Sequence, residues 1–245
     1  MKLVILALAI KPWAVLLPPT TSKSFRQSVD PESDESEFRV LVDNKFVKYI
    51  TIYGGLFMCD EMCASPPTRL PGITSTWHPT QINHLELHMG RKLRSNTVIA
   101  KFARFPWEVP QLERETAAYE WIEGHQIGPA FLGHLTEEGR VIGFIMTNIA
   151  DGNCRHATPE DYPLCHLALS KLHQLGISHG DINKHNFLIH TGGKAVTLID
   201  FDRASRTATP KELEDELNDL QHQLEDTSGR GGRIVELPED EPHDL

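Results

Sequence analysis

His179-Gly180-Asp181-Ile182-Asn183-Lys184-His185-Asn186 is the stretch on which the reading of this chain turns. Fourteen residues beyond Asn186, an apolar run closes on Leu198-Ile199-Asp200-Phe201-Asp202. An H-x-D triplet alone recurs by chance. Here it is joined by an Asn at a fixed distance and by a second Asp at a strand end. Phosphoryl transfer from ATP asks for this set. One carboxylate orients or deprotonates the acceptor, while an amide and a second carboxylate hold Mg²⁺ on the phosphates. Residues 187–190 and 195–199 read as two strands turning at Gly192-Gly193. Such a hairpin brings Asn186 close to Asp200, so the two motifs support each other.

Upstream, residues 98–103 read as a short apolar strand carrying one charge, Lys101. A buried lysine needs a partner. The candidate lies in a helix predicted over 111–123. Leu112, Glu115, Tyr119 and Ile122 share one face of it, so Glu115 falls on the inward stripe while Glu113 and Glu120 fall off it. Residues 131–135 and 141–146 form a hairpin about Thr136-Glu137-Glu138-Gly139, and 147–153 are a connector. Thr158-Pro159-Glu160-Asp161 starts a helix that runs to about Leu175, with Gly176 as its stop. Thr209-Pro210-Lys211-Glu212 is a capping box. Leu213, Leu217, Leu220 and Leu224 then mark an amphipathic helix over 210–226, a candidate surface for a protein partner.

The rest of the chain narrows the function classes. Its 245 residues carry 24 basic and 34 acidic side chains, net −10, which disfavours direct nucleic-acid binding. Cys59, Cys63, Cys154 and Cys165 fit no common zinc spacing and read as free thiols. A basic stretch at 91–94 reads as an exposed turn or an anion site. The apolar run after Met1-Lys2 resembles a short signal peptide but lacks a clean cleavage site, and no stretch is long enough to span a bilayer. A cytoplasmic or nuclear location is expected. Residues 1–37 are read as an apolar N-terminus and acidic, partly disordered linker. Residues 38–97 are read as a hairpin about Asp43-Asn44 plus an irregular extension, 98–226 as the core, and 227–245 as a disordered acidic tail.

The order of strand lysine, helix glutamate, hairpin, connector, helix, H-G-D-x₄-N, hairpin and D-F-D resembles the protein-kinase-like superfamily over 98–202. With H-G-D in place of H-R-D, it is closer to the atypical branch of aminoglycoside phosphotransferases, lipopolysaccharide kinases and the small kinase of the KEOPS complex. The wording TWHPTQINHLEL, AKFARFPWEVPQLERETAAYEWIEGH and HGDINKHNFLI is similar to short fungal kinase-like proteins, some labelled alpha-galactosidase A. The chain has neither a paired-carboxylate arrangement nor a barrel pattern to support glycosidase or secreted-hydrolase chemistry.

The resemblance implies an α+β, two-lobed protein-kinase-like fold with a reduced C-lobe. It implies ATP and Mg²⁺ as cofactors and an acceptor of unknown identity. Lys101 would contact the phosphates and pair with Glu115. Asp181 would be the catalytic base or the residue that orients the acceptor hydroxyl. Asn186 and Asp200 would hold the metal. Residues 146–149, among them Met146, Thr147 and Ile149, would read adenine. The departures are specific. No G-x-G-x-x-G precedes Lys101, Asn183 stands where protein kinases place a phosphate-contacting lysine, and D-F-D replaces D-F-G. Only 43 residues follow Asp202, with no A-P-E. Two expectations follow: a phosphotransferase with a compact C-lobe, or a pseudokinase that binds nucleotide or scaffolds a partner.

Overall fold

The computed structural model describes residues 25–29, 35–42, 46–53, 71–88, 98–149, 154–193, 195–228 and 231, the first three stretches by their backbone. The apolar N-terminus, the Asp43-Asn44 turn, Cys59, Cys63, the 91–94 stretch and nearly all of the acidic tail lie outside them. The chain divides into two compact units. The first takes residues up to Ile149 together with Phe201–Ala204, and the second takes Ala150–Asp200 and everything from Ser205 on. The stretch read as one core, 98–226, is therefore shared between them. The chain crosses at the predicted connector and again around the D-F-D segment.

In the first unit, β1 (Phe25–Val29), β2 (Glu35–Val42) and β3 (Phe46–Tyr53) form an antiparallel sheet. The β2–β3 hairpin is the one predicted, while β1 lies within the stretch read as a linker. A second sheet is built from β4 (Gln81–Asn83), β5 (Val98–Phe102), β6 (Phe131–Glu137) and β7 (Arg140–Thr147). Its order is β4-β6-β7-β5, so among the described residues the lysine strand β5 is an edge. Glu138 and Gly139 both hold positive φ and make the tight β6–β7 turn. Gly143 is required for the β5–β7 pairing, because a Cβ there would sit 2.1 Å from the Lys101 carbonyl oxygen.

α2 (Val109–Trp121) packs on β7 and buries Leu112, Glu115 and Tyr119 as the spacing predicted. The link from β5 is short and fixed by a buried ion pair: Arg104 donates to Glu108 at 2.5 Å, and Glu108 also accepts the Arg104 amide at 2.6 Å. Residues 71–80 form a strap. Ile73 donates its amide to Val141, His134 donates its own to Thr80, and Trp77 Nε1 donates to the Thr116 carbonyl. His134 accepts the His78 amide through Nε2 and is fully buried. Burial, with His78 beside it, pushes His134 down to about 4, so it is a neutral core side chain. The short helix α1 (His84–His88) follows β4.

In the second unit, β8 (Cys154–His156), β9 (Phe187–His190) and β10 (Val196–Leu198) form an antiparallel sheet in the order β10-β9-β8. β8 had no signal in the sequence, being three residues long and mostly exposed. Thr158 stands at the predicted N-cap position: the Asp161 carboxylate accepts its amide at 2.8 Å, and a 3-10 turn at Pro159–Asp161 leads into α3 (Tyr162–Gln174). Gly176 ends the helix at φ +71. α4 (Pro210–Glu225) starts at the Thr209–Glu212 capping box and packs on α3, with Leu220 and Leu224 fully buried. Of the leucine stripe, those two serve this unit's own core. Cys154 and Cys165 are free thiols, and burial pushes Cys165 up to about 12. No helix among the described residues is long and apolar enough to cross a membrane.

Candidate active site

In the first unit, Lys101 on β5 donates to Glu115 on α2 at 2.7 Å. The Glu115 side chain is 1% exposed and the Lys101 side chain 12%. Two ions taken so far from water hold their charge only when paired at this distance. The predicted partnership is thus made. Glu113, placed off the inward face by its spacing, is not idle: it accepts the Thr74 amide at 2.6 Å, the Thr74 hydroxyl at 2.8 Å and the Ser75 amide at 2.9 Å. Those bonds fasten the strap to α2.

At the end of β7, Met146 Sδ accepts the Tyr119 hydroxyl at 3.0 Å. Thr147 gives its amide to the Ala130 carbonyl, and its hydroxyl oxygen accepts the Ala130 amide. The Thr147 N–H is therefore already committed. Ile149 stands at the boundary of the unit.

In the second unit, the H-G-D loop is held by its backbone. Asp181 donates its amide to His179 Nδ1 at 3.3 Å, and its carbonyl accepts from Asn186 Nδ2 at 2.8 Å. His179 is fully buried and its Nε2 reaches the Ile199 carbonyl at 3.1 Å. Because Nδ1 accepts, Nε2 carries the hydrogen and the ring is neutral. Burial pushes its pKa down, against the pull of Glu216. The Asn186 carbonyl accepts the Ile199 amide at 3.0 Å, so the hairpin brings Asn186 to the backbone just before Asp200, as predicted. Asp200 itself holds φ +66. A non-glycine residue in that region is uncommon, and such strain gathers at functional sites.

Glu216, on α4, is the residue that the sequence did not single out. Its carboxylate accepts the His179 amide at 3.1 Å and the Gly180 amide at 2.6 Å, and it contacts His173 Nε2 at 2.6 Å. Burial pushes its carboxyl up, yet the His173 ring and the Gly180 and His179 amides outweigh burial and hold it below the usual carboxylate range. An acid in register with the partly buried stripe of α4 was the available signal. Its role depends on a loop 36 residues away, which no local pattern announces. Asn183 and Lys184 are also structural. Asn183 Oδ1 accepts the His185 amide, and Lys184 Nζ donates to the Asp226 carbonyl at 2.5 Å.

The donor chemistry suits a hard cation. With Asn186 Nδ2 donating to Asp181, its Oδ1 is the amide atom that can accept a metal. Asn186 Oδ1 and an Asp200 carboxylate would offer oxygen ligands alone, the donor type that Mg²⁺ takes together with water and phosphate oxygens. The described residues contain no cluster of three or more His, Cys, Asp or Glu side chains able to hold a metal by themselves.

Residues 165–236 match the model of the lipopolysaccharide kinase (Kdo/WaaP) family, a member of the protein-kinase-like superfamily. The matched segment contains the H-G-D loop, Asp200 and Glu216. No curated protein matches the chain at a significant level. The fold is mixed α+β and kinase-like.

Proposed function

We propose that this chain is an ATP-dependent phosphotransferase that moves the γ-phosphoryl group of ATP to a hydroxyl acceptor. The observation that carries the reading is the 2.7 Å contact of Lys101 with the buried Glu115. An ion pair so buried contributes little net stability. A lysine held at a fixed point by a carboxylate is what phosphate oxygens require.

Asp181 would accept the proton of the acceptor hydroxyl as the acceptor oxygen bonds to the γ-phosphorus and the bond to the β-phosphate oxygen breaks, releasing ADP. Asn186 and Asp200 would hold Mg²⁺, which when bound supplies positive charge against the phosphates. The backbone of 146–149 would read adenine, except for the Thr147 amide, which Ala130 already uses.

A pseudokinase is the second reading, and one observation favours it. Among the described residues, no strand lies on the outer side of β5, where a phosphate lid would pair. A thermal-shift titration with ATP and Mg²⁺ beside Asp200→Ala separates the readings from a chain that binds no nucleotide. A binder at a hundred times its dissociation constant gains about 2.7 kcal/mol. A shift in the wild type that Asp200→Ala loses, with phosphate release or transfer, supports the enzyme. The same shift without turnover supports the pseudokinase. No shift in either protein removes nucleotide from both.

A further inference from the structure

We infer that Asp202 is a positioning residue that ties the segment after Asp200 to the helix carrying Glu115. The replacement of glycine in D-F-D looks, from sequence, like a loss of backbone freedom. The structure gives it another meaning. Positive φ falls on Asp200, not on Asp202, so the third position of the motif has no need of glycine. The Asp202 side chain has a task instead: Gln111 Nε2 donates to its Oδ2 at 2.5 Å, and Arg114 Nε donates to its carbonyl at 3.1 Å. Both donors sit in the first half of α2.

The neighbouring Phe201 is fully buried edge-on to Tyr119 of the same helix, with ring centroids 5.5 Å apart. Its pocket is tight, because a Cβ at Gly128 would come within 2.9 Å of the ring. The phenylalanine is an apolar anchor and sets no register along the helix axis. The two hydrogen bonds of Asp202 do, since each has a required direction.

Helix geometry shows why this bears on Lys101. At 3.6 residues per turn, Gln111, Arg114 and Glu115 fall within an arc of about 100°, and Glu113 lies on the opposite side. α2 is thus held on two sides: by the strap through Glu113 and by the 201–202 segment through Gln111 and Arg114. Glu115 sits on the Asp202 side, so the tie fixes the carboxylate that fixes Lys101. A glycine at 202 would leave the Gln111 amide without this acceptor and the segment with a second set of conformations.

The consequence for turnover rests on the phosphotransferase reading; the tie itself does not. The test uses the full chain with Asp202→Gly, Gln111→Leu and Asp202→Asn, followed by hydrogen exchange and by ATP turnover. Asp202→Gly and Gln111→Leu should speed exchange of the α2 amides by about tenfold and leave β6 and β7 unchanged. In Asp202→Gly, kcat should fall by about tenfold while KM for ATP moves by less than about twofold. Asp202→Asn keeps an acceptor oxygen and should stay within about twofold of the wild type in both measurements. Wild-type exchange of α2 in both disrupting variants overturns the inference, as does an Asp202→Asn variant as impaired as Asp202→Gly. If the wild type turns over no ATP but α2 exchange rises in the variants, the tie stands and the phosphotransferase reading falls. If turnover is present and neither exchange nor kcat changes, the tie falls and that reading stands.

Discussion

In the first unit Lys101 is fixed side chain to side chain, by a carboxylate 2.7 Å away. In the second, Asp181 is placed through its backbone, its amide bound by His179 and its carbonyl by Asn186. The acid consumed by structure there is Glu216, which spends its oxygens on two loop amides and a histidine. On the proposed roles, the difference separates function from stability in one unit and fuses them in the other. Removing Glu115 takes from Lys101 the buried carboxylate 2.7 Å away. Neutralising Asp181 leaves each of those backbone contacts in place.

The sharpest way to break this comparison is Asp181→Asn. Phosphoryl transfer should drop by about 10²–10⁴-fold, the range for loss of a general base, while unfolding free energy stays within about 1 kcal/mol of wild type. A kinetic assay beside urea unfolding reads both, and a large stability loss would show that the carboxylate holds structure. Glu216→Leu is the converse. It leaves two loop amides and His173 without their acceptor and should cost about 3 kcal/mol in urea unfolding, with Glu216→Gln costing clearly less. Glu115→Ala should cost about 3 kcal/mol, the low end for a broken buried pair because Lys101 keeps a partial path to water, and should also abolish the ATP-dependent thermal shift.

Gly143→Ala sharpens the picture of the first unit without touching a charge. The new Cβ must push β5 away from β7, costing about 1–3 kcal/mol and weakening the ATP-dependent shift through displacement of Lys101. The smallest effect is in pH. The Arg155 guanidinium beside Asp161, with the Thr158 amide and hydroxyl, holds the Asp161 carboxyl at about 2, although burial opposes this. Its ordinary value is 3.8. A depressed carboxylate contributes stability that is full above the unfolded value and lost as pH falls through the folded one. The window therefore runs from about pH 4 down to about pH 2. Arg155 is half exposed, so solvent screening reduces the contribution to about 1 kcal/mol. Unfolding of the wild type and Asp161→Asn at pH 6 and pH 3 measures it: the gap between them should narrow at the lower pH.

Much of the fold was legible because its signals are local. The Thr158 and Thr209 cap positions and the Gly176 stop each need only a few adjacent residues and form as read; the turn read over Thr136–Gly139 narrows to Glu138-Gly139, because Thr136 and Glu137 continue β6. The site was legible in the parts that a short hairpin or one helical face brings together: Asn186 with the strand before Asp200, and Glu115 on the inward side of α2. Where the reading fell short, the missing information was distance. β8 is too short to show a period, β1 hides in a polar stretch, and helical spacing placed Glu113 off the inward stripe without naming the strap it holds.

The sequence by itself determined the residue types of the site and the order in which they occur, because covalent spacing and helical or strand periodicity are properties of the chain alone. Only the tertiary structure decided which acid does what. Glu113 takes a strap, Glu216 anchors the H-G-D loop and Asp202 takes Gln111, whereas the Glu115–Lys101 pair was already legible from spacing. Any of these carboxylates could bind any donor, and which donor it meets depends on segments far away in sequence. Burial then makes that meeting specific, since an acid removed from water must find the partner the fold presents to it.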